Sequence, residues 1–233
     1  MYRFSTFVRM ALLVLAAAGF MPFKANAVPF VIGAESVVTN EPGLGSPASF
    51  DVTNIINQSG LSANYVSGVT DFASFVGTTT HTPSAVNAAA NVYLSTLANL
   101  SNTVVTFDFD LGAAFSLDRL ALWGDNDSQA ITDFDLFASA DETFAALTAL
   151  GSFSATVTGA PVPAQVFNFA ETSTRFVRIQ VANHSTGRLQ VGEVAFGGVA
   201  ASDDNPVPEP AALALFGVGL LGLGAMRRRK KAA

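Results

Sequence analysis

From Val28 to Phe196 apolar side chains recur mostly at every second position, the period of strands with one buried and one wetted face. The clearest run is Thr103 to Leu111, where Val105, Phe107, Phe109 and Leu111 alternate with Thr106, Asp108 and Asp110. The same pattern predicts strands at Ser116 to Trp123, Ile131 to Ser139, Leu150 to Val157, Gln165 to Phe169, Arg175 to Val181 and Val191 to Phe196. Val52 to Ile56 and Tyr65 to Val69 are weaker strand candidates, while Thr78 to Leu100 fits a helical turn, a long loop or an irregular strand. Turn-forming clusters of Gly, Pro, Asn, Asp and Ser bound each run, and helical periodicity is nearly absent. Short strands of this kind bury their alternating faces against one another, which predicts an all-β sandwich, in jelly-roll form. No internal repeat indicates a propeller or solenoid.

Both ends of the chain depart from this pattern. Arg3 and Arg9 precede an apolar stretch from Met10 to Phe20, and Ala25-Asn26-Ala27 has the small-x-small form that signal peptidase cleaves, so residues 1–27 read as a signal peptide and the mature chain starts near Val28. The domain then occupies residues 28–198, and a Gly/Ala/Ser/Asp-rich linker follows over 199–206. Residues 207–231 comprise Val207-Pro208-Glu209-Pro210, an uncharged apolar run from Ala211 to Met226, and the basic tail Arg227-Arg228-Arg229-Lys230-Lys231. The run of 16 residues falls a little short of the ~20 that cross a bilayer comfortably, yet its leucines surround the helix and its four glycines would weaken a soluble one, so a single membrane span is expected. The cations place the carboxyl end in the cytoplasm.

This tripartite tail resembles the PEP-CTERM sorting signal of Gram-negative bacteria. The resemblance implies an exosortase-type processing enzyme that recognises Val207, Pro208, Glu209, Pro210 and the arginines Arg227, Arg228 and Arg229. It further implies transient anchoring in the inner membrane and a cell-surface or extracellular destination.

Removing the two ends changes the charge picture. Residues 28–206 carry seventeen carboxylates against four arginines, a net of −13 that the overall −6 conceals because most cations lie in the targeting segments. Such a surface repels phosphate backbones, which excludes sequence-independent nucleic-acid binding and leaves divalent cations or neutral glycans as more plausible company. Cysteine is absent, so thiol chemistry and thiolate metal sites are excluded and the fold rests on its core alone. Arg175 and Arg178 are expected to pair with strand carboxylates.

Four segments of the distal half resemble successive strands of the discoidin, or coagulation factor 5/8 type C, family: Leu117 to Trp123, Ile131 to Asp141, Thr174 to Ile179 and Val191 to Gly197. The resemblance implies a galactose-binding-like jelly roll, often a carbohydrate-binding module. The family's early Asp-Gly segment followed by Trp is missing, and Ser67 to Phe72 is the nearest substitute. Related jelly rolls often hold a structural Ca²⁺ on the early loop and the Glu near the last strand, which carries over to Asp71 and Glu193.

Chemistry-bearing motifs are sparse. His81 and His184 are isolated in polar surroundings and read as loop histidines; no hydrolase elbow, His-Glu-x-x-His pair or phosphate loop occurs. The segment after Trp123 is richer, since Asp125, Asn126 and Asp127 could bind sugar hydroxyls beside a ring that stacks on a sugar. The same residues also fit a solvated turn with Trp123 in the core. The expected function is noncatalytic association with exopolysaccharide. A purely structural surface protein and a glycan-active enzyme using two carboxylates are the alternatives.

Overall fold

The period-two pattern around Phe107 folds into two strands that are much longer than the sequence implies. The computed structural model describes residues 27–43, 50–84, 90–96, 103–181 and 188–201. The signal segment to Asn26, His184, the linker beyond Ala201 and the sorting tail with its apolar span lie outside these residues. Among the described residues no helix is long and apolar enough to cross a membrane.

Among the described residues eleven strands occur in this order: β1 (Phe30–Ile32), β2 (Ser36–Thr39), β3 (Thr80–His81), β4 (Tyr93–Leu94), β5 (Val105–Trp123), β6 (Asp133–Ser139), β7 (Leu147–Ser154), β8 (Val162–Pro163), β9 (Gln165–Val181), β10 (Gln190–Val191) and β11 (Glu193–Ala200). The main sheet runs β1-β11-β5-β9-β6-β7, with β2 also paired to β5; β10-β4 and β3-β8 form small ribbons. All strand pairs are antiparallel.

At 19 and 17 residues, β5 and β9 far exceed the usual ~5–6 residues of a strand, because each serves both layers of the sandwich. Val105 to Asp110 pairs with β2 and with the second half of β9, whereas Phe115 to Trp123 pairs with β11 and the first half of β9. The register breaks between Asp110 and Phe115, where Gly112 takes a φ of 78°. Phe107, Phe109, Leu136, Val177 and Ile179 from one layer meet Ile32, Leu120, Leu122, Val194 and Phe196 from the other in one buried cluster. Phe109 meets Phe196 edge-on at 5.5 Å, and Phe134 meets Phe167 at 5.1 Å. Each such ring buried adds about 1.5–3 kcal/mol over its exposed state.

The second layer is covered on its outer side too. Val31, Tyr65, Phe72, Phe75, Ala121, Trp123 and Ala195 form a second cluster there, built on the short helix α1 (Phe72–Val76). That explains the unbroken burial from Leu120 to Trp123, since a strand buried on both faces loses its alternation. The outer face of the first layer is polar, and both expected ion pairs form on it. Arg178 Nε lies 2.5 Å from Asp108 Oδ1 and Arg175 Nε lies 2.6 Å from Asp110 Oδ1.

Several expectations need correction. Val52 to Ile55 is a 3-10 turn capped by Asp51, whose Oδ1 accepts from Thr53 N at 2.9 Å. Tyr65 to Val69 forms turns, with Gly68 N donating to Val31 O and Val31 N to Thr70 O, so it packs against β1 without extending the sheet. The strands β1 and β2 have no counterpart in the sequence reading, being only 3 and 4 residues long.

Candidate functional site

The crossing of β5 between layers opens a groove of about 360 Å³, lined by Gly33, Ala34, Glu35, Ile56, Gln58, Tyr65, Ser67, Leu111, Ala113 and Phe115. Three segments build it. The β1–β2 turn supplies Gly33 to Glu35, the loop after the 3-10 turn supplies Ile56 to Ser67, and the β5 break supplies Leu111 to Phe115. Leu111, Ile56 and Phe115 give an apolar floor, while Glu35 and Ser67 are exposed at the rim. Gly33 N donates to Ser67 Oγ at 3.1 Å and Tyr65 N to Gln58 Oε1 at 2.8 Å, which fixes the loop against β1. Gly112 suits this point through its φ of 78°, and a Cβ there would also push aside the exposed Glu35 carboxylate, whose carbon would stand 2.2 Å away.

Below the groove an aromatic column supports Tyr65. Its ring meets Phe75 at 5.3 Å, and Phe75 meets Trp123 at 6.0 Å. The Tyr65 hydroxyl is buried without a hydrogen-bond partner, and burial, then the neighbouring Glu193, push its pKa up. Glu193 is itself fully buried; its Oε2 accepts from Gln58 N at 3.0 Å and its Oε1 has no partner. Burial raises its pKa to about 9, so the carboxyl is protonated at neutral pH. A smaller groove of about 200 Å³ lies over β6 and β7, where Asp135 accepts from Ser152 Oγ at 2.5 Å and Asp133 from Ser154 Oγ at 2.7 Å.

The sequence-predicted residues fall into different places. Trp123 is fully buried and its Nε1 donates to Thr79 O at 3.0 Å. The stacking role is therefore corrected, because no face of the ring reaches solvent. Asp125 is buried, whereas Asn126 and Asp127 are exposed. Asp71 caps α1, its Oδ1 accepting from Ser74 N at 2.8 Å, and it bridges to Phe30. Phe30 pairs with Gly198, five residues along β11 from Glu193, which is roughly 16 Å. Asp71 and Glu193 therefore cannot share an ion, and among the described residues no three His, Asp or Glu side chains gather as a metal site. The calcium pair implied by the family resemblance does not fit this chain. The loop that meets Glu193 is the one carrying Gln58 and Tyr65, upstream of the Ser67 to Phe72 segment. His81, expected in a loop, is buried on β3 with Nε2 2.9 Å from Ser59 O, and burial lowers its pKa.

Sequence comparison bears on the tail. Residues 206–230 match the family model described as the PEP-CTERM protein-sorting motif. The chain carries a PEP-CTERM sorting signal. The PEP-CTERM signal implies a terminal membrane-spanning segment and export with transit through the membrane. No curated protein sequence matches the chain.

Solved structures resemble the domain that the PEP-CTERM signal follows. The structure of the CBM32-1, CBM32-2 and M60 catalytic domains of Clostridium perfringens ZmpB aligns with a TM-score of 0.50 at 12% identity, covering 72% of this chain and 15% of that one. The two CBM32 domains of the same protein give 0.48 at 12%, covering 71% and 35%. CpGH89CBM32-5 of Clostridium perfringens, in complex with GalNAc-β-1,3-galactose, gives 0.45 at 10%, covering 69% and 93%. The chain thus spans about a third of the two-domain ZmpB structure. The domain has the β-sandwich fold seen in those CBM32 structures.

Proposed function

We propose that this PEP-CTERM chain is an exported, noncatalytic protein of the cell surface or matrix that binds exopolysaccharide in the groove at the β5 crossing, after an exosortase has processed its tail. The groove itself is the observation that supports this reading. Its volume of about 360 Å³ falls within the ~300–1,000 Å³ of small-ligand sites, whereas the 200 Å³ groove over β6 and β7 falls below it. An apolar floor with Phe115 under the carbon face of a sugar, and Glu35, Gln58 and Ser67 near its hydroxyls, is the combination that sugar recognition needs. The net charge of −13 over residues 28–206 favours neutral or cationic glycans over acidic ones.

The test is a glycan-array screen of the full chain purified in a detergent without a sugar headgroup, with Phe115→Ala beside the wild type. Saturable binding to a defined sugar class, weakened about tenfold or more in Phe115→Ala, is expected for loss of one stacking ring. A blank array from folded wild-type protein would transfer the assignment to a purely structural surface protein.

A further inference from the structure

The main sheet ends on β7, and among the described residues the far side of that strand pairs with nothing. Which of its backbone groups stay open follows from the ladder to β6. Ala155 N donates to Thr132 O at 2.6 Å, continuing the register in which Phe153 faces Phe134 and Gly151 faces Leu136. Bonded positions alternate along an antiparallel strand, so Ala155, Phe153 and Gly151 turn their N–H and C=O groups to β6 while Ser152, Ser154 and Thr156 turn theirs outward.

Thr156 is already satisfied. Its N donates to Gln165 Oε1 and its O accepts from Gln165 Nε2, both at 2.7 Å, so the Gln165 amide stands where a further strand would. At the other end the register slips between Leu136 and Phe137, which places a bulge at Leu150 and bends the strand out of line. Ser152 and Ser154 lie between these two stops with their outward N–H and C=O groups open. Their hydroxyls donate to Asp135 and Asp133 on the sheet face and leave the edge clear.

Charge decides what can approach this edge. Thr143 to Ala170 holds no charged side chain, and that stretch covers β7, β8 and the start of β9 in a domain whose residues 28–206 carry a net of −13. Leu147, Val157 and Val166 are exposed within it. A cationic partner would be drawn to the acidic faces instead, whereas a second acidic copy meets least repulsion here. Asp133 and Asp135 lie one strand further in. A joint between two β7 edges therefore keeps them about 14 Å from their counterparts, three strand spacings and beyond the ~8 Å Debye length of physiological salt.

We propose that two copies of this chain pair through β7, antiparallel about a twofold axis at Phe153, so that the main sheet continues from one copy into the other. Ser152 of each copy then faces Ser154 of the other, and these residues exchange about four backbone hydrogen bonds across the joint. Phe153 meets its own counterpart at the unbonded position, where facing side chains lie closest. Its ring already rests on Phe134 at 5.6 Å and Phe167 at 5.5 Å, so it is held in place before the copies meet. One edge serves both partners, as a twofold interface requires. None of the residues that line the sugar groove takes part, so the joint stands or falls apart from that reading.

The full chain, in the same detergent, is followed by sedimentation equilibrium over a range of concentrations. Expected are a reversible monomer–dimer equilibrium in wild type and association at least about tenfold weaker in Ser154→Pro, whose ring replaces the outward N–H and spares the ladder to β6. Thermal unfolding checks that this variant is folded. The chain has no cysteine, so Ser152→Cys and Ser154→Cys give a second readout that does not depend on the proline. Facing Cα atoms about 5.5 Å apart are within disulfide reach, and the two variants mixed in a redox buffer are expected to cross-link at least about tenfold faster than either alone. A folded wild type that stays monomeric at about 1 mM, a dimer indifferent to Ser154→Pro, or cross-linking no faster in the mixture than in the separate variants overturns the joint.

Discussion

Replacing Glu193 by Gln isolates the largest electrostatic load in the core. The ordinary pKa of this group is 4.5 and burial lifts it to about 9 in the folded protein. Between those values the unfolded chain is ionised while the folded one keeps its proton, so folding takes up a proton. Stability is complete below pH 4.5 and falls by ~1.4 kcal/mol per pH unit until the folded carboxyl also ionises near 9. From pH 7 to 8.5 the loss is about 2 kcal/mol, or roughly 4–8 °C in Tm for a domain of this size. The window lies above the Asp125 pKa of about 6 and above His81, which burial holds below 6.5. An amide at position 193 keeps the oxygen that accepts from Gln58 N and removes the titration. Thermal unfolding of wild type and Glu193→Gln with chelator, at both pH values, supplies the comparison; groups common to the two proteins cancel in the difference. The variant is expected to hold its Tm within the common drift while wild type drops by the stated amount. Parallel lines for the two proteins would refute the assignment of a raised Glu193 pKa.

Trp123→Ala empties a fully buried site, removes the donor to Thr79 O and takes away the support under Phe75; about 3–5 kcal/mol is the expected loss in urea unfolding. A loss below ~1 kcal/mol would contradict the core position. Gly112→Ala must place a side chain at a φ of 78° and within 2.2 Å of the Glu35 carboxyl carbon, so about 1–3 kcal/mol is expected in the same assay, and a neutral outcome would show that the β5 crossing does not need glycine.

The strands of the distal half were legible because one face of each is wet. Val105 to Leu111 and Val177 to Val181 alternate in sequence and in burial alike, and Asp133 to Leu136 does so over its first four residues. Where the pattern stopped at Leu111 and resumed at Ser116, two strands were expected. The structure has one, bent at Gly112, since a residue at positive φ interrupts the periodicity without ending the hydrogen bonding. The groove was not legible, as it forms from three segments that share no sequence spacing. Trp123 was ambiguous for a related reason. Its position matches Ala121 and opposes Leu120 and Leu122, so in a two-layered sandwich it would face water. The third layer that covers it comes from Tyr65, Phe72 and Phe75, and a helix of 5 residues is too short to announce itself by a period of 3.6. Only the spacing of Phe72 and Phe75, three apart and following a capping Asp71, hinted at it.

The register of β11 joins the two halves of the functional reading. Its last residue, Ala200, pairs with Phe115, the ring on the groove floor, and the matched sorting motif begins at residue 206. Six residues span at most about 20 Å even when fully extended. On the proposed reading, a chain still held by its tail keeps the groove close to the bilayer that holds it, where a polymer has least room to lie along the floor. On that same proposed reading, processing of the tail gives a long glycan room to reach Phe115 through chain length alone.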